Sequence, residues 1–202
     1  MSYKSKPLPL TFACAATESK LFPSDSGNEI ALCGRSNSGK STLINALANQ
    51  KKLAKTSNTP GRTQSINFFH LENNVGKKII DLPGFGYAKA SKQDQNSWAK
   101  LILSYLEKRA ALTDLILIMD MRHPFQNKDL EFLSLCDSLK LPIHLVLTKA
   151  DKLNNKETQT ALKVVSEKMA AYPAIVDSLV FSATKKIGLE TLLNKIKLLL
   201  EV

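Results

Sequence analysis

Apolar residues fall along this chain in short unbroken runs, separated by longer stretches of helical period. Residues 30–33 and 115–119 are apolar or small throughout, and 143–147 is apolar but for His144. Runs of that length without polar alternation read as strands buried on both faces. Between them lie helical patterns. One leaves residue 40 through Leu43, Ile44 and Leu47, and one spans 93–111 through Trp98, Leu101, Ile102, Tyr105 and Leu106. Others cover 129–139, 156–171 and 189–200, the last clearly amphipathic. Residues 65–71 and 77–81 are further strand candidates around a hairpin-like turn at 72–76, and 179–181 is a short one. Strands alternating with helices predict the α/β class: three layers, with a mostly parallel six-stranded sheet and helices on both faces. Residues 1–28 read as an arm whose short apolar run, 10–16, is able to add an edge strand. Pro23, Asp25, Ser26 and Gly27 then turn the chain into the main domain, 29–202.

The polar junctions between these runs carry the chemistry. Gly34 to Ser41 fits G-x-x-x-x-G-K-[ST] at every fixed position, with a strand before it and a helix after it. Gly34 and Gly39 let the backbone curl so that successive N–H groups face inward, and the helix N-terminus adds partial positive charge. Lys40 can reach the β- and γ-phosphates of a nucleotide, and the Ser41 hydroxyl can bind Mg²⁺. Asp81, at a strand end 41 residues after Lys40, opens Asp81-Leu82-Pro83-Gly84. Its acid can hold the shell of the metal, and the Gly84 N–H can meet the γ-phosphate.

Thr148-Lys149-Ala150-Asp151 closes another strand. An ionised Asp151 accepts from the adjacent N1–H and N2–H₂ donors of guanine, whereas adenine presents an acceptor at N1. The Lys149 stem can lie along the base plane. Phe181-Ser182-Ala183 ends the last strand, where a backbone N–H can serve the guanine O6. All these segments sit at the carboxyl ends of strands, where open α/β sheets bind ligands.

Together, the segments 34–41, Thr-Pro-Gly-Arg-Thr-Gln at 59–64, Asp-Leu-Pro-Gly-Phe-Gly-Tyr at 81–87, Asp-Met-Arg-His-Pro at 120–124, 148–151 and 181–183 resemble the translation-factor-class GTPases of the TrmE-Era-EngA-EngB type. Within these the chain is most similar to the EngB group, over residues 8–200. The resemblance implies a P-loop GTPase fold. It implies GTP and GDP binding through Gly34, Arg35, Ser36, Asn37, Ser38, Gly39, Lys40, Ser41, Gly61, Arg62, Thr63, Gln64, Ser65, Asp81, Leu82, Pro83, Gly84, Thr148, Lys149, Ala150, Asp151, Phe181, Ser182 and Ala183. It makes Thr63 the threonine that joins Ser41 on Mg²⁺, and Lys40, Thr63, Gly84 and Asn37 the catalytic set. It also implies work on the large (50S) ribosomal subunit and a link to cell division and septation. Phe85 stands where Ras-like enzymes carry a water-orienting Gln, so slow intrinsic hydrolysis is expected, with K⁺ beside Asn37 as an added cofactor. Thr148 stands where most GTPases have Asn.

Composition adds a partner. The net charge is +10, and residues 1–112 carry an excess of nine positive charges. Lys51, Lys52 and Lys55 precede the loop at 59–64, and Lys89, Lys92, Lys100 and Lys108 follow Gly84. That distribution suggests a polyanion such as ribosomal RNA or a 50S precursor. The alternative is a signalling switch that docks a division protein without RNA. Cys14, Cys33 and Cys136 lie far apart, with no metal-ligand spacing and no even framework, so a reducing cytoplasm is expected. Neither a signal peptide nor a membrane span is expected from the apolar pattern, and the chain is expected to act as a monomer. His70, His123 and His144 form no catalytic constellation in sequence and read as structural.

Overall fold

In a computed structural model of the chain, residues 5–54, 65–85 and 92–202 are described. The elements in order are β1 (Leu10–Ala16), β2 (Asn28–Gly34), α1 (Lys40–Ala48), β3 (Ile66–Leu71), β4 (Asn74–Asp81), α2 (Lys92–Lys108), β5 (Leu112–Asp120), α3 (Asn127–Ser138), β6 (Ile143–Thr148), α4 (Asn155–Ala171), β7 (Ile175–Val180) and α5 (Leu189–Leu200). The sheet runs β1-β3-β4-β2-β5-β6-β7. From β4 to β7 every pairing is parallel, while β1 and β3 are antiparallel to their neighbours.

Among the described residues the sheet therefore has seven strands, not six. The seventh is β1 from the arm, which pairs with β3 from Leu10↔Leu71 to Ala16↔Ile66. β7 also begins four residues earlier than the apolar run suggests. Asp177 and Ser178 interrupt its hydrophobic pattern, and Asp177 is accommodated because His144 of β6 faces it.

The continuous apolar runs resolve into two faces once the strands are paired. Ala31 and Cys33 of β2 join Leu115, Leu117 and Met119 of β5 beneath α2, α3 and α4. Ile30 and Leu32 join Ile116 and Ile118 beneath α1 and α5. Burying each large aliphatic side chain contributes about 1.5–3 kcal/mol, so both layers are held on by the same strands. Leu8 and Leu10 of the arm are buried with α1 and α5, and the Leu8 N–H donates to Leu47 O at the end of α1 (2.9 Å). No described helix is long and apolar enough to cross a membrane.

Candidate functional site

The loop 34–39 leaves the carboxyl end of β2 in the centre of the sheet. A Cβ at Gly34 would lie 2.4 Å from the Ile118 carbonyl oxygen, so only glycine fits. Gly39 (φ 100°) caps α1, and its left-handed backbone starts that helix at Lys40. Gly84 packs against the same loop: a Cβ there would sit 3.3 Å from the backbone of Ser36. The Ser36 N–H donates to Phe85 O (3.0 Å), and the Phe85 N–H donates to Gly34 O (3.2 Å). The segments 34–41 and 81–85, far apart in sequence, thus share backbone hydrogen bonds.

Lys40 forms an ion pair with Asp81. The second Asp81 oxygen accepts from Asn67 Nδ2 (3.3 Å), and Asn67 Oδ1 accepts from Ser65 Oγ (3.1 Å). Ser65, expected at the nucleotide, is a buried link in this chain of contacts. Arg35 keeps its backbone in the loop, but its side chain reaches α3. Nε donates to both Asp129 oxygens (3.2 and 3.0 Å), and an Nη donates to His123 O (2.9 Å). Phe85 stacks on Phe132 of α3 with centroids 5.1 Å apart and is buried, so no water-orienting group stands at that position. Gly61, Arg62, Thr63 and Gln64 lie outside the described residues, as do Lys55 and Lys89.

On the base side, Thr148 Oγ1 donates to Ser38 O and to Met119 O. It braces the phosphate loop from the end of β6, a task a side-chain hydroxyl performs in place of an amide. Lys149 adopts a left-handed backbone (φ 61°), and its ammonium donates to Asn37 O (2.7 Å) and Asp120 Oδ2 (2.9 Å). Asp151 accepts from Ser182 Oγ (2.6 Å). That hydrogen bond, more than any other influence, holds its carboxyl below the usual value, so it is ionised at neutral pH. The Ala150 N–H donates to Phe181 O (3.2 Å), and the Ser182 N–H donates to Ile187 O (3.0 Å). The Ser182 amide is therefore engaged within its own loop, and a guanine O6 would have to be met by another N–H.

Sequence reasoning did not assign Asp120, Asn67 or Asp129. Asp120 carried a signal: an acid closing an apolar run, with Arg122 two residues on. Asp120 lies beside Thr148 in the β5/β6 register. Burial raises its pKa, but hydrogen bonds from Arg122 and then Lys149 outweigh that and hold the carboxyl well below the usual range.

The residues fit a nucleotide and its metal. Ser38 Oγ is the one buried side-chain oxygen or nitrogen among the described residues with no hydrogen-bond partner. A hydroxyl left so is costly unless a ligand satisfies it. The Ser41 hydroxyl and the Asp81 carboxylate are hard oxygen donors of the kind Mg²⁺ selects.

Comparison with known proteins agrees. A family model described as "50S ribosome-binding GTPase" matches residues 29–149. The "Probable GTP-binding protein EngB" of Haemophilus influenzae (strain PittEE) is 45% identical over 185 residues, 92% of this chain and 89% of that protein. Its counterpart in Histophilus somni (strain 129Pt) is 45% identical over the same share of this chain and 90% of its own. The crystal structure of a probable GTP-binding protein engB superposes with a TM-score of 0.67 at 27% identity, covering 86% of this chain and 98% of that one. Era in complex with MgGDPNP and nucleotides 1506–1542 of 16S ribosomal RNA shares the fold, with a TM-score of 0.65 at 24% identity, covering 85% of this chain and 56% of that one.

Proposed function

The chain belongs to the EngB family of GTP-binding proteins, GTPases of the ribosome-binding class, and from that premise we propose that it binds Mg²⁺·GTP, hydrolyses it slowly and serves assembly of the large ribosomal subunit. The observation that carries the nucleotide half is the bracing of the base-side loop against the phosphate loop. Thr148 donates to Ser38 O and Lys149 to Asn37 O. A ligand spanning the two loops would meet one rigid cradle. In that cradle the Lys149 stem lies along the base, Asp151 accepts from the guanine edge, and the loop N–H groups and Lys40 bind phosphates. Leaving Asp81 for a phosphate would cost Lys40 one charge partner and give it another. Ser41 and Thr63 would hold Mg²⁺, with Asp81 in its shell, and the ion would supply charge neutralisation at the phosphates. Asp151 stays an acceptor throughout, and buried Phe85 moves no proton, which is the reason to expect slow turnover.

The ribosomal half is supported by charge. Lys51, Lys52, Lys100 and Lys108 are exposed on the portion of the chain that follows the phosphate loop. The excess counted in residues 1–112 overstates the free charge, because Arg35 and Lys77 are paired with Asp129 and Glu201, acids outside that count. Era, which shares the fold, is solved with an rRNA strand. A cytoplasmic, monomeric protein accords with this role. The test is co-sedimentation with 50S particles at two salt concentrations, with GTP or GDP analogues. Tighter binding in the GTP form, a steep fall with salt and loss on changing Lys51, Lys52 and Lys55 to Glu are expected. Binding insensitive to all three would reject the RNA role and favour a protein partner in cell division.

A further inference from the structure

The ammonium of Lys149 is held by two groups, the Asn37 carbonyl and the Asp120 carboxylate. Asp120 is itself gripped by Arg122. Nε donates to Oδ1 (2.9 Å), an Nη donates to Oδ2 (2.7 Å), and the Arg122 N–H donates to Oδ1 (3.1 Å). This fork fixes both carboxylate oxygens, so Oδ2 faces Lys149 in one orientation. Asp120 has 8% of its surface exposed, while the Arg122 side chain is 40% exposed. One buried acid therefore serves two cations, one turned into the cradle and one at the surface.

We propose that Asp120 is a positioning residue for guanine-nucleotide binding, orienting Lys149 through a salt bridge whose own geometry is set by Arg122. The proposal rests on the base-stacking role of Lys149 given above. The physical reason lies in the freedom of a lysine. Four rotatable bonds separate its ammonium from the backbone, and a single carbonyl acceptor leaves several rotamers open. A charged second acceptor restricts the stem to paths that bring the ammonium to both Asn37 O and Asp120 Oδ2. Charge-assisted hydrogen bonds are about twice as strong as neutral ones, so the carboxylate is the dominant restraint. Because the stem touches the face of the base and not its edge, Asp120 affects affinity without affecting the choice of base. Discrimination stays with Asp151.

A double-mutant cycle read by nucleotide affinity tests this. Asp120→Asn keeps the shape and removes the charge. It is expected to weaken GDP and GTP by the same factor, about tenfold, with the preference for guanine over hypoxanthine nucleotides unchanged. In a Lys149→Ala background the same substitution is expected to change affinity less than twofold. A residue that merely supports the fold would give the same loss in both backgrounds, and that additivity would overturn the proposal. So would unchanged affinity of Asp120→Asn while the parent protein binds normally. Failure of the parent protein to bind GTP would instead reject the nucleotide reading itself. Should Asp120→Asn not fold, Arg122→Ala removes an exposed side chain and probes the same network. It is expected to cost about threefold in affinity, again only when Lys149 is present.

Discussion

The two ends of the sheet treat buried charge in opposite ways. At the amino end of β2, Glu29 is fully buried and saturated. It accepts from Lys78 Nζ (3.1 Å), Tyr105 Oη (2.8 Å), Arg109 Nε (2.8 Å) and Arg109 Nη (2.6 Å). Arg109 gives two further donors to Pro23 O and Ser24 O. At the carboxyl end, Ser38 Oγ has no partner, and Lys149 and Lys40 each share acids. An acid whose oxygens are all engaged by donors holds structure together and leaves no acceptor for a ligand. Polar groups with spare valence beside glycine-lined backbone are arranged for a ligand. The comparison separates the stabilising charges from the functional ones better than burial alone does.

Breaking the saturated end should give the largest effect. Glu29→Gln strands the charges of Lys78 and Arg109 in a buried site. A loss of about 3–5 kcal/mol is expected in urea unfolding, with the GTP-to-XTP preference of the remaining folded protein unchanged. A loss under about 1 kcal/mol would show that water or neighbouring acids replace Glu29, and the contrast between the two ends would fail.

At the open end the effect falls on affinity instead. Asp151→Asn puts a donor against a guanine donor, and about 1–3 kcal/mol of GTP affinity should be lost, with a gain for xanthine nucleotides. Thermal stability without nucleotide should barely change, because among the described residues Asp151 bonds to Ser182 and nearby Lys152 alone. Equal GTP binding by calorimetry would remove Asp151 from the base site.

The smallest effect sharpens the amino end. His144 sits between Asp114 (3.1 Å) and Asp177 (2.9 Å), and Lys195 of α5 pairs with Asp177. Burial lowers the imidazolium pKa, but the hydrogen bonds to Asp114 and Asp177 outweigh it and raise the value above normal. The charged form is therefore favoured by folding. Its contribution is full below the unfolded value of about 6.5, and it fades as pH rises through the raised folded value. Wild type should lose more Tm between about pH 6 and pH 8.5 than His144→Asn does. Identical slopes would mean that this cluster is electrostatically silent.

Most of the elements were legible because their signals are local. The bounds of α5 match the expected 189–200, and α4 differs from its expected range by one residue. The glycine-rich loop was legible in the same way, since its turn needs Gly34 and Gly39 whatever surrounds it. β7 was only partly legible, because Asp177 breaks its pattern and finds its reason on another strand. Of the site, the segments themselves were readable, but their internal bracing was not. The Arg35 side chain engages α3, and Ser65 serves Asn67, contacts that no spacing rule encodes.

The sequence by itself determined the backbone chemistry: where the chain turns, which runs are buried and which loops end strands. Those features follow from glycine sterics, side-chain period and hydrogen-bonding type, all properties of a residue and its near neighbours. Tertiary structure alone decided which polar and charged groups became partners. Lys149 meets Asp120 29 residues away, Asp81 meets Asn67 14 residues away, and Arg109 meets Glu29 80 residues away. Strand register sets the first two meetings, through β5 with β6 and β3 with β4, and the chain just after α2 brings Arg109 to Glu29. A one-residue slip would turn Asp120 or Asp81 to the opposite face of the sheet, away from its partner.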